Sequence, residues 1–85
     1  GVLYFAETPE ATDRKAHSGR GIILGCYVDL GNMLSMGKHE WRQKLREGTL
    51  EDLEEEFDSI EVTGFASGTE YIVFDADRVT DIWVE

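Results

Sequence analysis

The stretch Gly68-Thr69-Glu70-Tyr71-Ile72-Val73-Phe74-Asp75 decides the fold. Tyr71 to Phe74 is apolar on both faces, the pattern of a strand buried inside a sheet rather than at its rim. Glu70 stands at the mouth of that run. A carboxylate there loses hydration, and its charged form persists only where hydrogen bonds or a cationic partner compensate. Glu70 is therefore either a strand-end acid with a structural partner or a group kept for chemistry.

Working outward, Ile60-Glu61-Val62-Thr63 alternates as a half-exposed strand, and residues 64–69 form a loop before the buried run. Asp75-Ala76-Asp77 is a turn, and Arg78 to Val84 is a last strand with Val79, Ile82 and Val84 apolar. At the front, Val2 to Ala6 reads as a short strand. Thr8 then offers an N-cap, Pro9 suits a first helical position and Glu10 suits the helix dipole, predicting a helix over 9–17. Residues 21–30 give the clearest strand, with Ile22, Leu24, Cys26, Val28 and Leu30 on one face, and Gly25 leaving room on the other for a backbone or ligand. Gly31-Asn32 ends it. Residues 38–47 form a polar helix whose Trp41 and Leu45 make a narrow contact stripe, and Thr49-Leu50-Glu51-Asp52 resembles a capping box opening a helix that packs through Leu50, Leu53 and Phe57. About five strands with two or three short helices predict an α+β fold on a mostly antiparallel β core.

Eighty-five residues make one domain, near the small end of what one core sustains without disulfides or metals. Cys26 is the single cysteine, which excludes an intrachain disulfide and a cysteine-based zinc site and fits a reducing, intracellular compartment, cytoplasmic or nuclear. His39 has no second ligand at metal spacing, so no metal is expected. No apolar run approaches the ~20 residues that span a bilayer, so no membrane partner is expected. Residues 1–48 hold seven Lys/Arg against six Asp/Glu, whereas residues 49–85 hold one against twelve. This acidity repels polyphosphate backbones and argues against nucleic-acid binding, and the cluster Arg14, Lys15, His17 and Arg20 is read as a solvated helix face and turn. The chain opens on Gly1 in mid-strand, which predicts a segment of something longer, completed upstream or by pairing with another copy.

Four blocks in order then carry a resemblance: Tyr4-Phe5-Ala6, Val28-Asp29-Leu30-Gly31-Asn32, Phe57-Asp58-Ser59-Ile60 and Thr69-Glu70-Tyr71-Ile72-Val73-Phe74-Asp75. Together they resemble the C-terminal part of a poly(ADP-ribose) polymerase type ADP-ribosyltransferase catalytic domain. The resemblance implies an ADP-ribosyltransferase-like core with a cleft between two sheets, NAD as substrate and a protein or other acceptor as partner.

By that resemblance Tyr4, Phe5 and Ala6 border the nicotinamide, with Tyr4 in the signature tyrosine position and Ala6 as a wall. Thr12 takes the place of the hydroxyl residue that bonds the carboxamide. Lys15 stands where the family commonly stacks a second tyrosine, a departure that Tyr27 or Phe65 would have to make good. Glu70 matches the catalytic glutamate. When the nicotinamide–ribose bond breaks, positive charge develops on the ribose, and a fixed anion favours that state over the ground state. The family's signature histidine lies before the Tyr-Phe-Ala strand, and neither His17 nor His39 can take its place. Two functions follow: a catalytic segment that cleaves NAD and transfers ADP-ribose, or a non-catalytic protein-interaction domain that retains the transferase fold and works through the acidic surface from Leu50 to Asp58.

Overall fold

A computed structural model describes residues 2–8, 10 and 23–85. Thr12, Lys15, the basic cluster and most of the expected 9–17 helix lie outside the described residues. Among the described residues six strands and two α-helices follow in order: β1 (Leu3–Ala6), β2 (Leu24–Val28), β3 (Met33–Gly37), α1 (Lys38–Glu47), α2 (Leu50–Glu56), β4 (Ser59–Thr63), β5 (Glu70–Val73) and β6 (Val79–Val84). The class is α+β, as the sequence predicts, with six strands rather than five.

Four strands form one sheet in the order β1-β5-β4-β3, and β2 pairs with β6 in a second. β5 lies between β1 and β4, antiparallel to both, which explains its apolar run: Ile72 and Val73 are fully buried. β4 is also interior. Its Ile60 and Val62 are fully buried, so the expected half-exposed strand is central, with only Glu61 and Thr63 reaching outward. β3 is the strand the sequence hides, and it runs parallel to β4. A parallel neighbour requires a crossover, and α1 and α2 supply it. The core cluster joins Met36, Ile60, Val62 and Ile72 of the sheet to Trp41 of α1, with Leu50 and Leu53 of α2 packed against it. Leu45, the other half of the expected stripe, remains 45% exposed. Thr49 makes no capping bond to its own helix; its hydroxyl turns back to the Lys44 carbonyl, so the capping box does not form.

The second sheet departs further. β2 is shorter than the expected 21–30 strand, and β6 carries one more residue than β2 between the pairs Gly25↔Trp83 and Tyr27↔Thr80. Asp81 absorbs this bulge at φ 51°. The space beside Gly25 is taken by the Trp83 indole, which a Cβ at position 25 would strike. Trp83 stands edge-on to Tyr27 at 5.4 Å on the face of Gly25. On the expected core face Cys26, Val28 and Leu30 are half-buried, whereas Leu24 is 58% exposed.

A polar clasp ties the two sheets. Arg78, before β6, pairs with Asp58 at 2.9 Å, before β4, and with Asp29 at 3.3 Å, after β2. Asp58 also accepts from the Asn32 amide at 2.7 Å, and the buried Ser59 hydroxyl donates to the Leu30 carbonyl at 2.6 Å. Gly31 sits inside the clasp at φ 58°, where any side chain would collide with Asp58. Only glycine meets both conditions cheaply.

Candidate functional site

The β1–β5 ladder assembles the sequence-predicted positions from opposite ends of the chain. Ala6 pairs with Glu70, Phe5 with Tyr71 and Tyr4 with Ile72. Side chains alternate along a strand, so Tyr4, Ala6 and Glu70 share one face and Phe5 shares the other with Tyr71. Glu70 is half-buried, as its place at the start of an interior strand dictates, whereas Tyr4 on the edge strand is 53% exposed.

A cleft of about 1260 Å³ opens between β1 and the β2–β6 sheet. Tyr4, Phe5, Ala6 and Glu70 all border it, with Cys26 and Trp83 among the residues opposite. Phe5 and Tyr4 both reach it although they point to opposite faces, because β1 is an edge strand with no neighbour on its outer side in the four-stranded order. The cleft walls are largely apolar, and Glu7, Glu70 and Glu85 are the carboxylates that line it. Neither Tyr27 nor Phe65 borders it. Tyr27 packs on Trp83, and Phe65 lies under the Arg42 guanidinium at 5.7 Å. Besides Tyr4, Phe5 and Tyr71, the Trp83 ring borders it from the second sheet. The sequence gives no signal for that role, because the bulge at Asp81 sets which residues of β6 reach the cleft.

On the opposite face of β5 a polar row crosses the sheet. The Tyr71 hydroxyl donates to Glu7 at 2.8 Å and lies 3.3 Å from Glu61, whose other oxygen accepts from Ser35 at 2.9 Å. One phenolic proton serves two carboxylates. Its bond to Glu7, then burial and the charges of Glu7 and Glu61, raise the Tyr71 phenol above the usual tyrosine range. This row fastens the chain just beyond β1 to the interior of the sheet, next to the Ala6–Glu70 pair.

His39 is exposed on α1, and among the described residues no group of histidine, cysteine and carboxylate side chains is placed to hold a metal. No helix among them is long and apolar enough to cross a membrane. Cys26 is a half-buried free thiol beside the cleft. Comparison with known proteins finds no matching family model, no matching curated protein and no matching solved structure.

Proposed function

We propose that the chain is an ADP-ribosyltransferase catalytic segment that cleaves NAD and passes ADP-ribose to an acceptor, with Glu70 as the catalytic carboxylate. The observation that supports this reading is the register of β1 on β5. It places Tyr4, Ala6 and Glu70, which the resemblance assigns to one NAD site, on one face of two adjacent strands bordering one cleft. In this reading Ala6 leaves space for the nicotinamide against the sheet, and Tyr4 flanks it. Glu70 holds a ribose hydroxyl and stabilises the charge that grows on the ribose as the glycosidic bond breaks. The electron pair of that bond leaves with nicotinamide, and the acceptor's nucleophile forms the new bond to ribose and gives up its proton. In this reading Glu70 takes or orients that proton. Trp83 supplies the aromatic surface that Lys15 does not.

A second reading, a non-catalytic interaction domain on the same fold, draws on α2, where Glu51, Asp52, Glu54, Glu55 and Glu56 are all exposed. Nicotinamide release from NAD, measured with and without the Glu70 carboxylate, separates the two.

A further inference from the structure

We propose that two copies of the chain associate through their helices, the basic row of α1 in each copy lying against the acidic face of α2 in the other. Lys38, Arg42 and Arg46 recur at every fourth position of α1, so they stand in one row along the helix with His39 beside it. Glu40 and Glu47 fall on a different side of the helix. Like charges at this spacing repel, so the row weakens the helix in isolation. Nothing in the fold answers it: among the described residues no ion pair engages a cation of α1, and Arg42 lies over the Phe65 ring rather than beside a carboxylate. Residues 11–22, outside the described residues, hold three Lys/Arg against one Asp and do not supply a matching set of acids.

α2 carries the complementary charge. Glu51, Asp52, Glu54, Glu55 and Glu56 are all exposed, and among the described residues no ion pair engages them either. The two helices therefore hold opposite charges that are not matched within one chain. Both cover the same core cluster, through Trp41, Leu50 and Leu53, so their outer faces lie on one side of the molecule. A two-fold axis on that side brings α1 of each copy to α2 of the other and makes the same contact twice. Leu45, 45% exposed and one turn from Arg42, adds an apolar contact beside the row.

The net charge of −10 opposes the approach of two copies. At physiological salt that repulsion is screened beyond about 8 Å, whereas charges brought into contact act within that distance. A polynucleotide laid along the basic row would run on to α2 and meet its carboxylates, so a short acidic surface such as α2 itself fits the row better. This inference stands apart from the NAD reading, since no residue of α1 or α2 borders the cleft.

The test is sedimentation equilibrium of the chain and of two charge-reversed variants, Arg42→Glu with Arg46→Glu on α1 and Glu51→Lys with Glu55→Lys on α2, up to about 1 mM protein, where weak contacts are populated. The parent is expected to dimerise, and each variant alone to associate at least about tenfold more weakly, because like charges then face one another. An equimolar mixture of the two variants is expected to regain the parent's association, since both contacts are restored. Lys38→Glu with Arg46→Glu, which spares the contact with Phe65, replaces the first variant if circular dichroism shows it unfolded. A parent that stays monomeric throughout, variants that dimerise as the parent does, or a mixture that does not recover overturns the proposal. So does a monomeric parent whose α1 amides respond by NMR to polyglutamate or to a single-stranded oligonucleotide, which would give the row to a different acidic partner.

Discussion

Ala6 and Glu70 lie directly opposite one another across the β1–β5 ladder, joining the first strand of the chain to the strand that holds its most conspicuous acid. The pairing gives Glu70 a small neighbour on one side and Val62 of β4 on the other. The carboxylate is thus framed by two short apolar side chains, at the rim of the cleft on one side and against the fully buried Val62 of the core on the other. Its removal is expected to leave the fold standing. Glu70→Gln keeps the shape and hydrogen-bonding reach of the side chain, and its stability should fall within about 1 kcal/mol of the parent, as is usual away from a cavity or an orphaned buried charge. Chemical denaturation of the two proteins side by side measures this.

Gly31 is a position where the backbone and its surroundings make the same demand. Gly31→Ala would hold a Cβ in left-handed backbone and press it on Asp58 beside Arg78. The expected loss is about 1–3 kcal/mol, the usual cost of such strain. A urea midpoint shift with an unchanged slope is the signature.

Arg78 holds Asp58 and Asp29 together, and its side chain is only 26% exposed. Arg78→Met keeps much of the packing and removes the ion pairs. Because the partners are partly solvated, the expected cost is about 1–2 kcal/mol, smaller at high salt for the parent than at low salt. Hydrogen exchange should quicken in β2 and β6 more than in β4 and β5, since the clasp joins the sheets and leaves each ladder intact.

The raised Tyr71 phenol makes a prediction at alkaline pH. The folded chain favours the protonated phenol through the bond to Glu7. That stabilisation is whole below the unfolded tyrosine pKa of about 10 and is lost as pH rises through the higher folded value. Tyr71→Phe lacks it at every pH. The difference in denaturant midpoint between parent and variant should therefore be constant from about pH 8 to about pH 9 and close as the pH passes about 10. A difference that grows with rising pH would contradict the hydrogen bond as the cause.

Trp41 and Val62 test the core. Both are nearly or fully buried, Trp41 at 3% and Val62 at 0% exposure. Trp41→Ala is expected to cost about 3–5 kcal/mol, a large part of what a domain this small holds, and Val62→Ala less. Thermal unfolding of the variants checks the order.

What could be read in the sequence divides along physical lines. An interior strand around Ile72 and Val73 and the polar helix at 38–47 were legible in the sequence, although β5 stops at Val73 before Phe74 and only Trp41 of the expected helix stripe is buried. β3 was not. Met33-Leu34-Ser35-Met36-Gly37 has no β-branched or aromatic residue, and its strand state comes from pairing with β4 rather than from local preference. The separation of β2 and β6 into their own sheet was likewise hidden, because it is decided by Asp81's bulge and by the Arg78 clasp, both long-range. Of the candidate site, Tyr4, Phe5, Ala6 and Glu70 border one cleft, whereas Trp83 enters only through the bulge. Thr12 and Lys15 lie outside the described residues.

The proposed role of Glu70 is to act on NAD. The most direct measurement is release of nicotinamide from NAD by the chain and by Glu70→Gln, with circular dichroism showing both folded. The expected result is release by the parent and a loss of at least about a hundredfold in the variant, the scale on which a preorganised electrostatic group acts. Equal release by the two folded proteins, or none from the folded parent, would contradict it.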